Sequence, residues 1–348
     1  MLVKKNKLFF LGLFLINLII SVVAYFVLPE KFFNDALIIS LDKNHEIGLI
    51  GSYPFSILFY KITGLKFLPY PIIALIQYPI LAYILYKIGV PSDFHKLNVK
   101  NSLVYLAFFM MAIFISMPSK EFITFTYLSL IPFVFQSEGI KQKYKIIISM
   151  LLLMFLGSFF RIYFLLIPII AVGMYFISLI KFKRRALTSI FYGLVIVIFL
   201  SLSFGIFKGE YLSQPRDKLN TERMHSKDAN SMINPPLKPD TWYGETVSIV
   251  YGFFSVNLPV EGFKHLFLPQ IIGFIIWQLL LLYIIIVRLS RCLANRGQHK
   301  NLLWVLFILI SYFIVQGVFE PDLGSAIRHK IGVFPLIYFA LYYEHFRK

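Results

Sequence analysis

The chain has 348 residues, 34 Lys and Arg against 17 Asp and Glu, a formal net charge of +17, and a composition 58% hydrophobic and 18% aromatic. With a mean hydropathy of +0.75 and apolar runs of about 20 residues that match a hydrocarbon core of about 30 Å, a soluble globular fold is excluded. The basic balance follows from Lys and Arg beside membrane spans rather than from nucleic-acid binding, and the only cysteine, Cys292, excludes an internal disulfide or a cysteine metal site.

The pattern predicts an all-α, polytopic integral membrane protein, read as one domain over residues 1–348. Ten spans are expected, at about 8–28, 67–88, 102–117, 122–136, 145–157, 162–180, 186–207, 267–287, 301–319 and 331–346. Residues 1–7 and the following apolar run resemble a signal peptide. The run is long and lacks a small-residue cleavage site, so it reads as an uncleaved first span. Residues 29–66, with Gly48, Gly51, Pro54 and Gly64 among apolar residues, predict short helices at the outer interface. Two pairs of spans are too short for a full crossing. One is joined by Pro118-Ser119-Lys120-Glu121, and the other bends near Gly157-Ser158 ahead of Arg161. Their polar tips must therefore lie below the headgroups, which is tolerated where they line a wet cavity. Residues 208–266 form an outer hydrophilic region, dense in charge up to about Glu245. An amphipathic stretch follows, with Tyr251, Phe253 and Phe254 as expected interface anchors. No internal repeat is present.

An even span number puts both termini in the cytoplasm. The inner loops then carry 19 basic residues against 8 in the short outer connections, as the positive-inside rule requires. Fourteen of the 17 acidic residues fall outside, an asymmetry that insertion does not need. The outer face is thus the expected place of chemistry, because ionisable groups beside a bilayer core are costly. It offers four groups: Asp35, Asp42, His45 and Glu46; Lys120 and Glu121; Arg161; and Glu320 and Asp322 with Arg328 and His329. Arg161, between Phe160 and Tyr163, is the sharpest, since a guanidinium fork matches phosphate oxygens. Lys120 and Glu121 are adjacent, so on a helix they face different partners. Asp35, Glu121 and Glu320 are the candidate general bases, with His45 and His329 as alternatives. Phosphate-loop, HExxH and GxSxG signatures are absent, the inner loops are too short for a nucleotide-binding domain, and no cofactor or metal is expected.

The span layout, the late hydrophilic loop, Ser119-Lys120-Glu121 at a short turn, Phe160-Arg161 at the next helix tip and Arg328-His329 before the last span together resemble a known group. They are similar to the bacterial polysaccharide repeat-unit polymerases, the Wzy-type O-antigen and capsule polymerases and their EpsG-like relatives. The resemblance implies a metal-independent C-type glycosyltransferase of the bacterial inner membrane. Such an enzyme joins undecaprenyl-pyrophosphate-linked oligosaccharide units at the periplasmic face, making O-antigen or capsular polysaccharide. It further implies that Arg161 and Arg328 hold the pyrophosphate with Lys120 assisting, while a nearby carboxylate or histidine takes the acceptor proton. Expected partners are the lipid-linked glycans, membrane lipid and a regulator of chain length. This chain departs from the family in its shortness and its compact late loop. The alternatives are a transferase using a polyprenyl-phosphate sugar, with Asp35 or Asp42 as base, a flippase or transporter for the lipid-linked unit, and a non-catalytic envelope subunit.

Overall fold

A computed structural model describes residues 4–43, 46–224, 231–259, 262 and 269–346. Among them the chain is helical throughout, with a single isolated bridge between Met232 and Asp322 in place of any strand. The protein is an all-α membrane protein. Six helices are long and apolar enough to cross a bilayer.

Contacts divide the chain into two compact units, residues 1–162 with 328–348, and residues 163–327. The first unit opens with α1 (Lys5–Val27), α2 (Asn34–Leu41), α3 (Ser52–Ile62), α4 (Tyr70–Ile88), α5 (Val99–Phe114), α6 (Lys120–Leu128), α7 (Leu130–Gln136) and α8 (Gln142–Phe159). The second holds α9 (Leu166–Ile177), α10 (Arg185–Lys208), α11 (Gln214–Arg223), α12 (Trp242–Asn257), α13 (Pro269–Ala294) and α14 (Lys300–Phe319). The boundary falls inside α15 (Leu323–Gly332), and α16 (Phe334–Phe346) completes the first unit.

α1 shows why water is not the solvent of this fold. Its large apolar residues Leu11, Ile16 and Phe26 point outward, while Asn17 and Ser21 are buried and bond to backbone carbonyls of their own helix. A water-soluble helix would bury the first set and expose the second; hydrocarbon reverses the preference. α14 is the opposite case, sheathed by α9, α10, α12 and α13 and buried almost from end to end.

Four of the ten expected spans occur as shorter or interrupted helices. α5 has 16 residues, and α9 follows a 3-10 turn over Ile162–Leu165. The expected 122–136 span divides into α6 and α7 at Ser129, where Pro132 has no N–H to give the carbonyl of Leu128. The expected last span divides at Val333, where Pro335 cannot donate to Ile331. The second interruption follows Arg328-His329 within about one helical turn.

Residues 29–66 fold as expected into short pieces: a 3-10 turn Glu30–Phe33, α2, α3 and a second turn Leu65–Phe67. Over residues 242–257, α12 packs along α14 and buries Ser248, Ile249, Gly252, Phe253 and Val256, while Phe254 of the expected anchors stays exposed. Gly252 and Gly317 make this possible, since a methyl group on either would collide with backbone of the facing helix. Small residues let helices approach to backbone contact, and hydropathy carries no record of such a pairing.

Candidate functional site: paired carboxylates among recessed cations

α6 begins at a sharp stop. Ser119 is its N-cap, the side-chain hydroxyl accepting from the Phe122 N–H at 3.1 Å, so Lys120 and Glu121 occupy the first turn. Tyr60 of α3 locks this start in place, its hydroxyl accepting from the Ser119 N–H at 3.0 Å. Gln77 of α4 holds Tyr60 in turn, with the two polar groups 2.7 Å apart. The amide orientation that satisfies both ends accepts from Tyr60 and donates to the Ser116 and Met117 carbonyls. Burial raises the Tyr60 hydroxyl above its ordinary pKa and keeps it protonated.

Lys120 and Glu121 diverge to separate partners. Lys120 Nζ lies 3.7 Å from Asp35 Oδ1 and 3.6 Å from the centre of the Tyr53 ring, a cation–π contact. Asp35 sits on the first turn of α2, fixed between the buried Phe33 and Ala36, which pack with Ala24 of α1 and Met117. Tyr53 donates its hydroxyl to Asp35 Oδ1 at 2.7 Å, and the other carboxylate oxygen is 3.6 Å from Arg328 Nη1. Burial and the Asp35 charge push the Tyr53 hydroxyl far up, so it remains a donor.

Glu121 forms the second lobe. Its Oε1 accepts from Arg161 Nη2 at 2.5 Å and lies 3.2 Å from His329 Nε2, while its Oε2 is buried without a hydrogen-bond partner. Arg161 is placed by the end of α8, where its N–H reaches the Leu156 carbonyl and the Phe159 carbonyl accepts from Gly51. Arg328 and His329 are consecutive on α15 and, like Lys120 and Glu121, point to different lobes. Two adjacent pairs thus cross-link two carboxylates.

The electrostatics follow from this packing. Burial alone would raise the Glu121 carboxyl, but Arg161, then His329 and Lys120, outweigh it and hold the group well below its ordinary range. Lys120 is pulled below its ordinary value by burial, against the attraction of Asp35 and Glu121. Lys120, Arg161 and Arg328, with His329, thus face Asp35 and Glu121 within one cluster. Recessed cations of this kind attract anions, and carboxylates beside them can take protons.

No family model, curated protein or solved structure matches this chain. Its chemistry is therefore read from the side chains themselves.

Of the sequence-derived candidates, the structure brings Asp35, Lys120, Glu121, Arg161, Arg328 and His329 into one constellation within the first unit. Glu320 belongs to the second unit. There its carboxylate accepts from Ser325 Oγ and from Gln316 Nε2, bonds that fasten the start of α15 to the end of α14. Asp322 caps α15 through the Ser325 N–H at 2.7 Å and pairs with Arg223. Asp42 pairs with Lys66, and His45 lies outside the described residues. Among the described residues no three His, Cys, Asp or Glu side chains gather as they would to hold a metal ion. Sequence reasoning missed Tyr53, Tyr60 and Gln77. The signal was the seven-residue spacing of the two tyrosines, two helical turns, which puts both on one face of α3.

Proposed function

We propose that this protein is a membrane glycosyltransferase that polymerises glycan units carried on a polyprenyl pyrophosphate, the lipid serving as the leaving group. The observation that supports it most directly is the loose geometry of the Asp35 lobe. Lys120 and Arg328 stand 3.7 and 3.6 Å from the carboxylate, beyond ordinary hydrogen-bond length. Lys120 can turn to a phosphate oxygen without giving up a hydrogen bond to Asp35, and Arg328 adds its positive charge beside it.

In this reading the acceptor hydroxyl oxygen attacks the anomeric carbon of the donor sugar. The bond from that carbon to the pyrophosphate oxygen breaks, the electron pair leaves with the lipid pyrophosphate, and the hydroxyl proton passes to Asp35. Lys120 and Arg328 stabilise the charge that develops on the leaving group, an effect of about 100- to 1,000-fold for one well-placed donor. Arg161 is tied at 2.5 Å to Glu121, so this pair, with His329, sets the position of the α6 and α15 ends and adds long-range attraction for the anion. The setting is a bacterial inner membrane with both termini cytoplasmic and the site on the outer face.

The test is chain length. Polysaccharide from cells carrying Arg328→Ala or Lys120→Ala should collapse to single repeat units, with partial rescue by Arg328→Lys at equal protein level. Normal polymer in both alanine variants would sink the proposal. Unchanged chain length with a missing side-branch sugar would instead indicate transfer of a single sugar.

A further inference from the structure

The second unit contains a cavity that the proposed chemistry does not use. It measures about 670 Å³ and lies between the start of α10 and the last turns of α13, lined by Phe182, Lys183, Arg184, Arg185, Ile286 and Leu293 among others. Arg185 Nη1 donates to the Leu293 carbonyl at 3.3 Å and ties the two walls together. Arg291 and Arg296 follow on the α13 side, and no Asp or Glu occurs in residues 182–208 or 269–300. The charged side chains of the segments that form the cavity are thus basic, with His299 beside them. No side chain caps the first turn of α10, so its amide dipoles add to the same field.

Both walls are spans long enough to cross the bilayer, which puts the cavity at the level where headgroups lie. Below it, Leu187, Phe191, Val195 and Phe199 repeat every four residues along α10 and are 46, 60, 40 and 69% exposed. They form a continuous apolar track leading out of the cationic cavity. A free anion would need only the cations. An amphiphile with an anionic head and a hydrocarbon tail uses both features.

We infer that this cavity binds the phosphate headgroup of an anionic bilayer phospholipid, with an acyl chain lying along Leu187, Phe191, Val195 and Phe199. The site shares no residue with the Asp35 and Glu121 constellation, and its occupancy does not depend on glycan chemistry. Cationic clefts at span ends are attractive to acidic lipids because each Lys or Arg near the surface strengthens binding about fivefold.

The experiment uses full-length protein in an uncharged detergent, titrated with phosphatidylglycerol, phosphatidylcholine or inorganic phosphate, with bound lipid counted by native mass spectrometry. Phosphatidylglycerol should be retained at least about tenfold better than phosphatidylcholine, and K183Q/R184Q should weaken it roughly 30-fold, two such charges being removed. Both side chains are exposed, so the double substitution leaves packing intact. Equal retention of the two lipids, or unchanged phosphatidylglycerol binding in K183Q/R184Q, would overturn the inference. Displacement of the lipid by equimolar inorganic phosphate would also overturn it, by showing that the tail contributes nothing.

Discussion

Glu121 in the first unit and Glu245 in the second are both buried carboxylates with an arginine nearby, yet their surroundings differ in kind. Glu245 accepts from Ser201 Oγ at 2.5 Å, from the Ser213 N–H at 3.2 Å and from Ser213 Oγ, so both oxygens are bonded. Its neighbour Arg216 donates to the Gly317 carbonyl at 2.7 Å and to the Ser248 carbonyl at 3.0 Å, and burial lowers that guanidinium to about 10. Every group there is spent on holding α10, α11, α12 and α14 together. Glu121 leaves one buried oxygen unbonded, and in the adjoining lobe Lys120 and Arg328 stand off from Asp35 at ion-pair distance. A closed polar network fixes a fold, whereas an open one keeps capacity for a ligand.

Substitutions can break this contrast. The largest expected effect is on stability, from Arg216→Ala. It removes the buried donor to the Gly317 and Ser248 carbonyls and the positive charge that acts on Glu245, at a cost of about 3–5 kcal/mol. Thermal unfolding in detergent should show the loss, while glycan transfer per folded molecule stays at the native level. Equal loss of specific activity would mean that the closed network also serves the chemistry. Next come Lys120→Ala and Arg328→Ala, each expected to lower transfer at least about 100-fold, the weight of one preorganised charge stabiliser. Their melting temperatures should fall less than that of Arg216→Ala, because neither substitution removes a hydrogen bond to Asp35. A collapse in stability matching that of Arg216→Ala would erase the distinction.

Smaller is Gly252→Ala. The added methyl would press on the Gly317 carbonyl and on Arg216, and overpacking of this kind costs about 1–3 kcal/mol. It should lower the melting temperature without touching chain length.

The finest test is pH. The Glu121 carboxyl titrates well below its ordinary value of 4.5 because Arg161, His329 and Lys120 outweigh its burial. A depressed folded-state pKa stabilises the fold above the unfolded value and loses that contribution as pH falls through the folded one. Native protein should therefore lose melting temperature more steeply on acidification below about pH 4.5 than Glu121→Gln does; parallel curves would show that the pairing carries no stability. At the alkaline end, Lys120 loses its proton below the usual 10.5. Transfer should fall there, and Lys120→Arg should move that fall to higher pH. An unmoved alkaline limb would take Lys120 out of anion binding.

Much of the first-unit site was legible in advance, for an energetic reason. A charged residue at the tip of an apolar helix costs free energy that ordinary packing does not recover, so Lys120, Glu121, Arg161, Arg328 and His329 stand out in the chain. Their partners did not stand out. Tyr53 and Tyr60 resemble interface aromatics and Gln77 resembles any polar residue inside a span, because their role consists in who faces them. Glu320 is the converse case: its residue type alone singles it out, and the structure adds that Ser325 and Gln316 donate to it where α14 meets α15.

The amino-acid order alone determined that this protein is helical and lies in a membrane, since hydropathy over about 20 residues is a local quantity that the bilayer reads directly. It also marked where span-breaking prolines and isolated charges interrupt the apolar runs. Tertiary structure alone decided which carboxylate meets which cation, which glycines bring α12 against α14, and which buried glutamate is saturated and which retains an open oxygen. Those outcomes rest on contacts between residues far apart in the chain, where a difference of an ångström separates a closed hydrogen bond from a longer ion pair.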